Sequence, residues 1–132
     1  MRRILAGRLL WGAVFVLAWM AAGGAHHGSA EYVTDREISV TGTVTAWRWT
    51  SPHTWVHLSV RTEDGTTEAW EGEGPPLTWA DERGWSETTL REGETVTLVM
   101  YPARRRERGG LVKRILREGG EAIEVSRPWL DR

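Results

Sequence analysis

Polar and apolar residues alternate most regularly after residue 37. Ile38, Val40, Gly42, Val44 and Ala46 interleave with Ser39, Thr41, Thr43 and Thr45, a period of two in β-branched residues that predicts a half-buried strand. Gly42 in its middle predicts a bulge or bend. A second run sets Val56, Leu58 and Val60 on one face and Trp55, His57, Ser59 and Arg61 on the other, and it ends at Glu63-Asp64-Gly65, a hairpin signal. A third strand is expected over 66–73, with Gly74-Pro75-Pro76 stopping the sheet. Thr78 can then cap a short helix with Asp81 and Glu82 in its first turn and Gly84 just past its end. Arg91-Glu92-Gly93-Glu94 turns the chain into a fourth strand, where Val96, Leu98 and Met100 alternate with Thr95, Thr97, Val99 and Tyr101. A fifth strand is expected over 111–116, with an extension over 121–125 beyond Gly119-Gly120.

Five strands, a bent glycine-containing first strand and a helix between the third and fourth predict an all-β fold, a small five-stranded barrel of the OB type. An immunoglobulin-like sandwich is the alternative, but it calls for about seven strands and no helix.

The start of the chain follows a different pattern. Arg2, Arg3 and Arg8 precede an apolar run from Leu9 to Met20, interrupted by Gly12, and the small residues Ala21 to Ala25 follow. This is the order of a secretory signal peptide. Twelve apolar residues would span only ~18 Å as a helix against a ~30 Å hydrocarbon core, which disfavours an uncleaved anchor. Gly23 and Ala25 place the cut before His26, and a cut one residue earlier would leave Ala25 first. The expected organisation is a signal peptide over 1–25, an N-terminal arm over 26–37, a barrel over 38–125 and a tail over 126–132. A periplasmic or secreted protein is expected, with no membrane association after cleavage.

Composition sharpens this picture in three ways. There is no cysteine, which excludes disulfides, thiolate nucleophiles and cysteine-ligated metal and leaves His, Asp and Glu as the available ligands. Processing would remove three of the 17 basic residues and none of the 18 acidic ones, leaving a net charge of −4. On that background the run Arg104-Arg105-Arg106-Glu107-Arg108 is expected to be a solvated loop rather than a nucleic-acid surface. Finally, nine Trp against two Tyr and one Phe is an excess of the aromatic that combines large buried area with a donor needing a partner.

All four His fall in two places, His26-His27 at the expected mature terminus and His53 and His57 on either side of Trp55. In an extended strand His53 and His57 share a face but lie ~13 Å apart, too far to chelate one ion together. His53, next to Pro52, is the better candidate to meet ligands from another segment, and the N-terminal arm supplies one. A free N-terminal His offers an amine and an imidazole, and a third nitrogen from His27 or His53 gives a set suited to Cu(II). Copper is therefore the candidate metal, with His26, His27 and His53 as ligands and Glu73 as a possible oxygen ligand. The bland alternative makes these His solvated or amphipathic fillers. Trp47, Trp49 and Trp55 share one strand parity with His57 and could line an aromatic face for a small ligand, or cover the barrel's second side. Trp70, Trp79 and Trp85 bracket the helix and are expected in the core. No Ser-His-Asp set or Gly-rich phosphate loop is present, and Glu71 and Glu73 share a face without an evident partner, so a binding protein rather than an enzyme is expected.

At these residues the chain resembles a family of small secreted bacterial domains of unknown function that begin, after a signal peptide, with Ala-His-His-Ser and carry a Trp-x-Asn-Pro-His motif. The counterparts are Ala25-His26-His27-Gly28-Ser29 and Trp49-Thr50-Ser51-Pro52-His53, and the similarity continues through Val56-His57-Leu58, Trp70-Glu71-Gly72-Glu73, Leu77, Gly84-Trp85, Leu90, Gly93, Val96 and Pro102. Gly28 is inserted before the serine and Ser51 replaces the asparagine. The resemblance implies no activity, but it places His26, His27, Trp49, Pro52, His53, Trp70 and Glu73 on the family's motif positions.

Overall fold

The computed structural model describes residues 30–125. The strands are β1 (Ile38–Arg48), β2 (His53–Arg61), β3 (Thr67–Pro76), β4 (Thr95–Pro102), β5 (Gly109–Arg117) and β6 (Ala122–Glu124), with one short helix, α1 (Leu77–Glu82), between β3 and β4. They hydrogen-bond in the order β3-β2-β1-β4-β5-β6, and an additional pairing between β3 and β5 closes the first five into a barrel. The closing pair is parallel and short, Glu71 with Gly109, Gly72 with Gly110 and Glu73 with Leu111, while the other pairings are antiparallel. This is the expected small all-β barrel with its helix between the third and fourth strands, and the extension past Gly119-Gly120 is a sixth strand on its edge.

The inward positions of the alternating runs fill the barrel. Val44, Val56, Leu58, Val96, Leu98, Met100, Val112 and Ile115 are each no more than 1% exposed, and burying side chains of this size contributes about 1.5 to 3 kcal/mol apiece. A second, smaller cluster outside this core joins Tyr32, Tyr101 and Leu111, with Ala103 against it. The β2–β3 hairpin closes on Gly65 at φ 85, where the Thr62 amide donates to the Thr66 carbonyl at 2.9 Å; the left-handed backbone there favours glycine.

Three local expectations are corrected. The irregularity in β1 lies between Val44 and Ala46 rather than at Gly42. Gly42 instead permits close strand approach, since a Cβ there would stand 2.7 Å from the Ser59 carbonyl oxygen. Strand β3 does not stop at Gly74 but runs through both prolines, with Pro76 opposite His53. Proline offers no N–H, but its carbonyl still accepts, and Pro75 takes a bond from the Thr54 hydroxyl at 3.0 Å. The helix begins at Leu77, immediately after Pro76, and has no side-chain cap, so Thr78 lies inside it. The Leu77 amide, one of the donors a helix start leaves unpaired, is satisfied by the Pro52 carbonyl at 3.0 Å. Gly84, at φ 75, ends the segment as expected, its amide bonding the Asp81 carbonyl. Among the described residues no helix is long and apolar enough to cross a membrane.

Candidate functional site

Strand alternation and the β2–β3 register together assemble a polar ladder on the outside of the barrel. His53, Trp55 and His57 project from alternate positions of β2, and the register sets Trp55 opposite Glu73 and His57 opposite Glu71. At the end of this ladder His53 Nδ1 lies 2.7 Å from Glu73 Oε1. A carboxylate only accepts, so Nδ1 carries the proton of this bond, and in the neutral ring Nε2 is left as the acceptor. The loop before His53 is held by the Thr50 hydroxyl, which donates to the His53 carbonyl at 3.2 Å, and the Ser51–Pro52 peptide bond is cis.

The other carboxylate oxygen of Glu73 accepts from the Tyr32 hydroxyl. Tyr32 is 1% exposed, and burial, reinforced by the Glu73 carboxylate, pushes its phenol above the ordinary range, so it remains a donor. Arg106 closes the network. It donates to the Tyr32 oxygen at 2.6 Å and to Glu71 Oε1 at 3.1 Å, and it stands 3.8 Å from Glu73 Oε2. Its guanidinium also lies 5.1 Å from the centre of the Trp55 ring and 5.6 Å from that of Tyr32, within cation–π range. Glu73 is 9% exposed, and a buried carboxylate is tolerable because these donors surround it.

Beside the network is a cleft of about 310 Å³ lined by Glu31, Tyr32, Thr50, Ser51, Pro52, His53, Trp55 and Glu73. It combines one imidazole, two carboxylates and aromatic walls, the mixture of apolar lining and a few convergent polar groups that suits a small ligand. His53, Glu73 and Trp55, singled out in the sequence, thus converge. Tyr32 and Arg106 were not singled out, although both complete the site. Tyr32 lies in the segment read as an arm, and Arg106 in the run read as a solvated loop. Arg104 and Arg105 are indeed exposed, whereas Arg106 folds back over the network.

The remaining candidates lie elsewhere. His26 and His27 fall outside the described residues, as do the expected signal peptide and tail. Among the described residues no three His, Asp or Glu side chains form a metal-holding group. His57 opens onto a separate cavity with Ala69, Trp70, Glu71, Arg106, Glu107 and Arg108. Its Nε2 is buried with no hydrogen-bond partner, and desolvation, followed by the Arg48 charge, lowers its pKa. Because the imidazole takes up its proton more readily in the unfolded chain, its contribution to stability is complete above the unfolded pKa of about 6.5 and declines as pH falls below it. A proton NMR titration is expected to place the His57 midpoint below that value; a midpoint above it would contradict this placement.

The tryptophans divide into separate groups. The β1 irregularity reverses the strand's parity, so Trp47 pairs with inward-facing Val56 while Arg48 pairs with Trp55. Trp47 consequently packs on the core and donates from its indole to the Ser86 carbonyl at 2.9 Å. Trp47 contacts Trp49 and Trp85 at centroid distances of 6.0 and 6.2 Å, and Trp85 meets Trp79 edge-on at 5.9 Å. Trp70 and Trp85 pack against the core, and Trp79 is half-buried. Trp55 stands apart from the Trp47 group, on the face with His53 and Arg106.

No curated protein matches the chain. A family described as being of unknown function, DUF6152, matches residues 14–113, a span that includes β1 to β4, α1, and every residue of the Tyr32-His53-Glu73-Arg106 network. The chain belongs to that family of unknown function, DUF6152.

Proposed function

We propose that the protein is exported, is processed to begin at His26, and binds Cu(II) as a copper-binding or delivery protein rather than an enzyme. The observation that carries this reading is the 2.7 Å contact between His53 Nδ1 and Glu73. A carboxylate on one ring nitrogen fixes the tautomer and orientation of an imidazole and raises the basicity of the other nitrogen, an arrangement found around metal-bound histidines. Glu73 then serves as the group that orients His53, and the copper ligands are His53 Nε2 with the amine and imidazoles of His26 and His27. Resemblance to secreted domains with a His-His mature terminus supports the same assignment. Bound Cu(II) would hold nitrogen ligands from two parts of the chain. The chain's own residues do the rest: Glu73 aims His53, and Tyr32 and Arg106 hold Glu73.

The test is a Cu(II) titration followed by tryptophan emission, on exported protein whose intact mass starts at His26. Trp55 and Trp49 are expected to be quenched at stoichiometric copper. His53→Ala and Glu73→Gln are each expected to weaken binding tenfold or more, and an extra N-terminal residue should weaken it as well. Affinity should fall as pH drops from ~8 to ~5, because chelation requires a neutral imidazole and a deprotonated amine. Unchanged emission, together with no heat of binding by calorimetry, would end the copper reading. A non-metal interaction module would then be the better account, with Trp49 and Trp79, half-buried rings at the ends of the four-tryptophan group, as its contact residues.

A further inference from the structure

We propose that the cleft between the α1–β4 connection and the β5–β6 hairpin is a binding site for a neutral saccharide. It shares no residue with the His53 network and does not rest on the copper reading.

The cleft encloses about 620 Å³, twice the volume of the one beside His53, and falls within the range of ~300 to 1,000 Å³ usual for small-ligand sites. One side chain ties its walls together. The Arg117 guanidinium donates to the Thr89 carbonyl of the α1–β4 connection and, at 3.5 Å, to Glu121 Oε1 of the hairpin, while its Nε stands 3.7 Å from Glu94 Oε2. Three segments thus meet on one planar group, and the cleft is preformed. The turn that begins at Ser86 is fixed from within: the Thr89 hydroxyl oxygen accepts from the Ser86 amide at 2.8 Å, and the Ser86 hydroxyl oxygen accepts from the Thr88 amide at 3.2 Å. The lining is chemically mixed. Ser86 and Thr88 bring hydroxyls, the exposed Arg91 brings a second guanidinium, and Trp85 and Ile123, half-buried against the core, bring apolar surface. Two arginines are matched by two glutamates, so the lining has no net attraction for either an anion or a cation. An apolar ligand would take the same four charged groups out of water without replacing its hydrogen bonds. A neutral sugar meets both conditions, because each of its hydroxyls can donate to a carboxylate or accept from a guanidinium, and its C–H surface packs against Trp85 and Ile123.

The test is a chemical-shift titration of the nitrogen-15-labelled protein with cellobiose, maltose and diacetylchitobiose. At on the order of 10 mM sugar, a site with a Kd of ~1 mM is ~0.9 filled. At least one of the three is expected to move the Trp85 indole N–H and the Ser86, Thr88 and Thr89 amides along a saturating curve. Arg91→Ala is expected to weaken that binding about tenfold, through loss of one charged donor. The turn survives this change, because Glu94 holds the Arg91 backbone amide, at 3.1 Å, and not its side chain. Sodium phosphate and putrescine serve as the opposing probes. Saturable shifts at the same signals with either ion, and with none of the sugars, would overturn the saccharide assignment and make the cleft an ion site. Sugar-induced shifts that do not saturate or that fall outside the cleft would overturn it, as would the absence of any shift. An Arg91→Ala variant that binds sugar as tightly as wild type would overturn it as well, since the mixed-charge lining is the basis of the assignment.

Discussion

Glu73→Ala is expected to destabilise the protein by about 3 kcal/mol and to lower its melting temperature by about 15 °C. The side chain is 11% exposed and accepts from His53 at one oxygen and from Tyr32 at the other, with Arg106 3.8 Å away. Truncation leaves the Tyr32 hydroxyl proton buried without its acceptor, and removing one partner of a buried charged network costs more than the net value of the bond. Arg106 limits the damage, since it retains Glu71 at 3.1 Å and the Tyr32 oxygen at 2.6 Å. Tyr32→Phe keeps the ring between Tyr101 and Leu111 and removes only the hydroxyl, so about 1 kcal/mol is expected. Because the two residues are in direct contact, the double variant should fall short of the sum of the singles by at least ~0.5 kcal/mol. Urea unfolding of the four proteins gives these numbers. A Glu73→Ala variant within about 0.5 kcal/mol of wild type would mean that solvent already replaces the network.

The second large effect lies on the closing seam of the barrel. A Cβ at Gly110 would stand 2.8 Å from both the Met100 Cβ and the Tyr101 carbonyl oxygen, neither of which can move without shifting β4. Gly110→Ala is accordingly expected to cost about 3 kcal/mol. A Cβ at Gly72, its partner across the seam, would meet the Val112 Cγ2 at 2.6 Å, the Leu98 Cδ1 at 3.0 Å and the Met100 Sδ at 3.2 Å. Those are side-chain atoms that can turn aside in part, so Gly72→Ala is expected to cost less, about 1 to 2 kcal/mol. The order Gly110 above Gly72 in denaturant midpoint is the result to check. The reverse order would show that the interior is less yielding than the strand backbone.

What could be read directly from the sequence was whatever has a short period. β2 and β4 follow from Val56-Leu58-Val60 and Val96-Leu98-Met100, because a strand's inward face is written two residues at a time. The turn at Gly65 and the helix end at Gly84 follow from backbone conformations that few other residues adopt. The seam was not legible in this way. Gly72 and Gly110 look like weak points in their strands until β3 and β5 are known to touch, and Pro75, which seems to end β3, lies where its carbonyl still finds a donor. The β1 irregularity leaves no composition signal between Val44 and Ala46, yet it sends Trp47 inward and separates it from Trp55. In the site, His53 and Glu73 could be selected by residue type. Tyr32 and Arg106 reach Glu73 from 41 and 33 positions away, distances that no local pattern spans. The available hint was Tyr32 itself, the one aromatic residue in the mostly polar run from Glu31 to Glu37 of a chain with only two tyrosines.

The parallel pairing of β3 with β5 also sets an order of assembly. The β2–β3 hairpin and the β4–β5 hairpin are joined by short connections and close small loops, whereas the seam joins Glu71 to Gly109, roughly forty residues apart, through only three residue pairs. Its loop-closure entropy is offset only once both hairpins and the β1–β4 pairing are in place. Until then β3 and β5 each present an unpaired edge, and β3 carries its Trp70-to-Glu73 stretch along that edge. Copies meeting in this interval can pair edge to edge, so the concentration of newly made chains governs how many of them reach the closed barrel.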